Sequence, residues 1–139
     1  MPAPMEYHHA SEQFEKFMLY ARDEAGLATT HMAYNMIVGV LFAFRRRLSM
    51  ADALAFANVL PPGIRALFVS DWEPHDAPKP FGTDAEILAD VRSVRAAHNF
   101  APEDAVPAVA RALRQLVSKD EFERVLSSFS EEAREFWRG

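Results

Sequence analysis

Three groups of side chains in this sequence are of types that do chemistry. His8, His9 and Glu12 fall within one helical turn and could ligate a metal ion. A helix-borne site needs a fourth ligand and a supporting hydrogen-bond shell. The sequence supplies neither nearby, so the group reads as a solvated N-terminal turn. Arg45, Arg46 and Arg47 stand in a row, and guanidinium forks match phosphate or an acidic partner. Cations in a row also suit the negative end of a helix dipole, and with a net charge of -5 that second reading is preferred. His31, His75 and His98 are widely separated, with no Ser or Asp beside them in a nucleophile pattern. The acidic residues are scattered at ordinary helical spacing, and the five glycines are isolated, so no phosphate loop is present. No catalytic residue, metal site or cofactor is expected, and an enzyme is the function the residues support least.

Composition narrows the classes further. Half the residues are hydrophobic and a quarter are charged, as in a globular chain rather than a disordered one. The net negative charge argues against nucleic acid, which calls for a basic face, and against docking to anionic lipid. Without cysteine there are no disulfides or thiolate sites, which is compatible with a reducing cytoplasm, the compartment expected. The opening MPAPMEYHHA has neither a basic region nor an apolar run, so no signal peptide is expected. The uncharged stretch from Met32 to Phe44 is well short of the ~20 residues of a membrane-spanning helix.

The elements that must position these side chains are read from an internal repeat. With an offset of 73, Phe14 aligns with Ile87, Met18 with Val91, Met36 with Val109 and Val40 with Leu113. After a four-residue gap near Val117 the offset becomes 69, pairing Leu60 with Phe129, Arg65 with Arg134 and Phe68 with Trp137. The matched quantity is the phase of apolar positions. It predicts an all-α fold of about eight helices, as two tandem four-helix repeats packed into one compact unit. Residues 11–70 form the first repeat, 71–82 a linker rich in proline and aromatics, and 83–139 the second.

Each repeat reads as four helices. The first runs from Ser11, a plausible cap, to Ala25, with Gly26 as its stop. Its partner opens at Thr83 or Asp84 and carries Ile87, Val91 and Val94, with His98 closing it ahead of Asn99. Met36 to Phe44 is strand-like by propensity, but its counterpart, Val106 to Val117, has the spacing of one helix face, so both are read as long helices. Pro107 is tolerated there if Asp104 caps the helix. Short third helices follow Ser49 and Ser118. Fourth helices begin at Pro62 and Ser130.

This layout resembles the bacterial family of domain of unknown function 2267 over nearly the whole chain. The resemblance rests on Ala25-Gly26-Leu27 after a Phe-rich helix, on Leu60-Pro61-Pro62-Gly63-Ile64-Arg65 leading to Trp72, and on the weaker echo from Phe129 to Trp137. It implies a tandem helical fold and supplies no catalytic residues.

Comparing the repeats singles out one surface. Arg111, Arg114 and Gln115 give the second long helix a polar outer face, and the aligned positions in the first are Val38, Leu41 and Phe42. Tyr34 continues that stripe. A helix apolar all round is normally buried all round, and leaving such side chains in water would forgo ~1.5–3 kcal/mol each. The cover could come from the other repeat or the linker, through Trp72 and Phe81. It could come from a second copy in a homodimer, or from a protein partner. The leading expectation is a protein-interaction or structural module. The alternative is a small-molecule sensor with an apolar pocket between the repeats near Phe42, Trp72 and Phe81.

Overall fold

The computed structural model describes residues 4–73 and 77–139, and among them all regular structure is helical. The order is α1 (Met5–His8), α2 (Ala10–Ala25), α3 (Thr30–Arg45), α4 (Met50–Ala57), α5 (Pro62–Phe68), α6 (Asp84–Ser93), α7 (Ala105–Arg114), α8 (Lys119–Ser127) and α9 (Glu131–Phe136). The all-α fold is as expected, with one short helix added at the N-terminal end.

Several boundaries are set by caps legible in the sequence. Gly26 ends α2 in the left-handed conformation, φ 67°, which costs glycine little. Ser49, Ser118 and Ser130 each accept a first-turn amide of the helix they precede. Thr83 and Glu86 form a full capping box on α6. The β-prone run Met36 to Phe44 lies inside α3, which Thr29 caps. Pro107 sits in the first turn of α7, where its missing amide leaves no bond unmade.

Three boundaries differ from expectation. Ser11 is inside α2, because α1 runs on through His9, whose amide donates to the Met5 carbonyl and whose carbonyl accepts from Gln13. The α6 helix ends at Ser93, and the chain then turns through Arg95, which has a positive φ of 54°. His98 therefore lies beyond the helix and does not close it. Asp104 precedes α7 but makes no side-chain cap, and α7 stops at Arg114 instead of reaching Val117.

The tertiary arrangement centres on α3. It packs against α2, α5, α6 and α7, while α2 also lies along α7. From Asn35 to Arg45 every residue of α3 is buried, as the pattern of an all-round apolar helix requires. The crossing of α3 and α6 is close at Gly39: a methyl group built there would meet the Val91 carbonyl oxygen well inside van der Waals contact and Asn99 Nδ2 at 2.8 Å. A polar bolt fixes the same crossing. Buried Asn99 donates to the carbonyls of Val91 (2.7 Å), Val94 (2.8 Å) and Asn35 (3.3 Å). Asn35 donates to the His98 carbonyl, and its own side-chain oxygen accepts from Arg95. Around Phe44 the core is aromatic, with ring centroids of Phe136, Phe56 and Trp137 at 4.8, 4.9 and 5.2 Å.

Candidate functional site

The apolar stripe of α3 is covered within the chain. Val38 and Phe42 cluster with Val94 at the end of α6, and Tyr34 and Leu67 pack against them. Leu41 belongs to the main core. The Arg45 guanidinium lies 4.2 Å from the Phe42 ring centroid, and that of Arg95 lies 5.6 Å from Tyr34. Of the four residues only Tyr34 is even partly exposed, so they form no free surface. Trp72 and Phe81 do not close a pocket with Phe42. Trp72 packs 5.4 Å from Arg45, whereas Phe81 turns toward Phe44 and Phe136, at 6.4 Å from each.

The arginine row is a clamp on the linker. Arg45 donates to the carbonyls of Phe68 (2.8 Å), Ser70 (2.6 Å) and Asp71 (3.3 Å). Those bonds hold the end of α5 and the start of the linker. Arg47 donates to Phe81 O and Ala43 O and pairs with Asp90 at 2.6 Å. Arg46 also pairs with Asp90, and its carbonyl accepts from the Lys79 amide. Burial, and then the neighbouring Arg46 charge, lower the Arg45 pKa to about 10, against a partial restoring effect of Asp71. Burial pushes the Asp90 carboxyl up, but the Arg47 hydrogen bond and the charges of Arg46, Arg47 and Lys79 outweigh it and hold the group below its ordinary range. Arg45 and Arg47 are thus committed to the fold. Beside them Trp72, Met50 and Lys79 line a groove of about 580 Å³, whose rim charges Asp71 and Glu73 oppose the cations.

Among the described residues the histidines assemble no metal site. His9 reaches Glu12 at 3.5 Å on an exposed turn, and Glu12 is already paired with Lys16 at 3.1 Å. His31 and His98 are exposed, and His75 lies outside the described residues. Among the described residues no three His, Asp or Glu side chains converge as a metal would require, and no single helix is long and apolar enough to cross a membrane.

Hydrogen bonds also re-register the two halves. Arg45 ends α3 and donates to Phe68 O; Arg114, 69 residues on, ends α7 and donates to Trp137 O at 2.9 Å. Arg65 donates to Leu60 O, and Arg134, again 69 on, to Phe129 O. Extended back through the long helices, that offset would put the gap before α7 rather than after it. Arg111 then corresponds to Phe42 and Arg114 to Arg45, so the contrast drawn between the two long helices largely disappears. Arg111 is not a solvated face either, since it pairs with Glu24 of α2 at 2.7 Å.

A different contrast takes its place, which the sequence alignment missed. Met50 and Leu54 of α4 are 47% and 49% exposed, and Ala51 between them is exposed too. The α8 positions 69 residues on are Lys119, Glu123 and Asp120. One helix shows water an almost uncharged face where the other shows charges. The signal was readable in the sequence, because MADALAFA carries one charge and KDEFERVLS five.

The family model for the uncharacterized conserved protein DUF2267 matches residues 14–136. The chain belongs to that family. The match runs from α2 to the end of α9, so in this DUF2267 chain it includes the arginine clamp, the linker and α4. The Leu60-to-Arg65 motif has a structural basis here: Arg65 donates to the carbonyls of Ala57 (2.9 Å) and Leu60 (3.0 Å), closing the end of α4 against α5. No curated protein matches the chain.

Proposed function

We propose that this chain is a non-catalytic helical module that works by binding another protein through the outer face of α4. The observation that carries the reading is the exposure of Met50, Ala51 and Leu54 together on one face of α4, beside the Trp72 groove. An eight-residue helix is ~12 Å long, too small to bury the ~800 Å² per partner of a stable interface. That favours a transient partner, itself presenting an apolar helix face, over a permanent homodimer. Residues 11–70 and 83–139 are read as tandem repeats, supported by the bonds that recur 69 residues apart. The second copy, with charged α8, acts as scaffold and the first as the docking half. The cytoplasm is the proposed place of action.

The test is Leu54→Glu together with Met50→Lys, which gives α4 the character of α8. Both side chains are half exposed, so the variant should keep its helical circular dichroism and its melting temperature within a few degrees. It should lose a specific partner that the wild type binds, or any self-association visible by light scattering. If the folded double variant keeps the same associations as the wild type, α4 is not the docking face.

A further inference from the structure

We propose that the cleft between α6, α7 and α9 binds an organic cation, an alkyl ammonium or guanidinium group carried on an apolar stem. This site lies apart from the α4 face and does not rest on the reading above.

The cleft has a volume of about 400 Å³, within the range of small-ligand pockets. Its floor is apolar: Ile87 of α6, Val106 and Pro107 of α7, and Phe136 of α9 line it. Its rim is acidic, with Asp84, Glu103, Glu132 and Glu135 against Arg138 alone, and Arg138 is paired with Glu135. An apolar stem on the floor with a positive head at the rim is the chemistry that satisfies both. An anion is disfavoured, because four carboxylates stand at the rim against one arginine. A bare metal ion is disfavoured as well, since no three acidic or histidine side chains converge among the described residues.

The comparable crossing in the other half is closed. There Gly63 at the start of α5 lies directly on α2, and a methyl group built on it would touch the Phe14 ring at 3.4 Å. The residue 69 positions on from Gly63 is Glu132, far too large for that contact. The α5 helix packs on α2, whereas α9 makes its main contacts with α7 and α8. A carboxylate thus stands where the closed crossing has a glycine, and the space beside it has an apolar floor.

Calorimetric titration with n-octylammonium, n-octanoate and n-octanol, each below its micellar concentration, tests the proposal. Octylammonium should bind saturably, octanoate should not, and octanol should bind at least tenfold more weakly than the amine. The Glu103→Gln, Glu132→Gln double variant leaves the Glu135–Arg138 pair intact and should weaken the amine about tenfold, with circular dichroism unchanged. A short acetylated leucine–lysine–leucine amide forms a second arm. Tighter binding of the peptide assigns the site to a lysine side chain, and tighter binding of octylammonium assigns it to a free amine. The proposal is overturned if neither cation binds, if octanol matches the amine, or if the folded double variant binds it as the wild type does.

Discussion

Gly39→Ala sets helix propensity against packing, and the two predict opposite signs. In the middle of a helix, alanine is favoured over glycine by ~1 kcal/mol. If α3 were an ordinary helix, the substitution would stabilise the protein. At this position the new methyl would overlap the Val91 carbonyl and approach Asn99 Nδ2 to 2.8 Å and Val91 Cγ1 to 3.0 Å. The first obstacle is backbone and cannot turn aside, so α6 must move. Overpacking of a tight core costs ~1–3 kcal/mol. Displacing Asn99 weakens its bonds to Val91 and Val94, at ~1 kcal/mol each. After subtracting the propensity gain, the net expected loss is about 2–4 kcal/mol. For a domain of this size that is a drop in melting temperature of about 6–16 °C, measured by circular dichroism or calorimetry. Gly63→Ala is the control, because its methyl would meet Phe14 and the Ala10 carbonyl no closer than 3.4 Å; it should shift stability by less than about 1 kcal/mol. An unchanged or raised melting temperature for Gly39→Ala would refute the α3–α6 contact on which the architecture depends.

Three further outcomes follow from the same packing. Val38→Glu places a carboxylate against Phe42 and Val94 and should cost more than ~3 kcal/mol, so a soluble, equally stable variant would show the stripe to be uncovered. Asp90→Asn leaves Arg47, itself 4% exposed, without its counter-charge, and should cost about 2–4 kcal/mol in urea unfolding. Because the Asp90 pKa is lowered in the folded state, its contribution is present above the unfolded carboxylate value of about 4 and is lost as pH falls through the lower folded value. The wild type should therefore lose its advantage over Asp90→Asn on acidification below that range, and a stability difference that stayed constant down to complete unfolding would contradict the assignment. Phe44→Ala removes the ring on which Phe56, Phe136 and Trp137 converge and should cost about 3–5 kcal/mol, read from the urea midpoint.

The sequence by itself determined the helices, because caps and apolar spacing act over a few residues. Ser49, Thr83, Ser118 and Ser130 cap where their types and positions say they should, and Gly26 stops α2. Burial of α3 on every side was also legible, since no polar face interrupts Val38 to Phe44. What covers that helix was decided only by the tertiary structure: Val94 and Leu67 arrive there from distant positions, and their apolar character does not specify a partner. The role of the arginine row was hidden for the same reason, since a guanidinium bound to backbone carbonyls leaves no mark on the residues whose carbonyls it holds. Apolar phase recurs about every 3.6 residues, so a four-residue shift between the halves preserves nearly the same pattern. Only the bonds of Arg45 and Arg114 distinguish the two alignments. The open cleft beside α9 depends on how far apart helices come to rest, and that distance is a property of a crossing the local sequence does not encode.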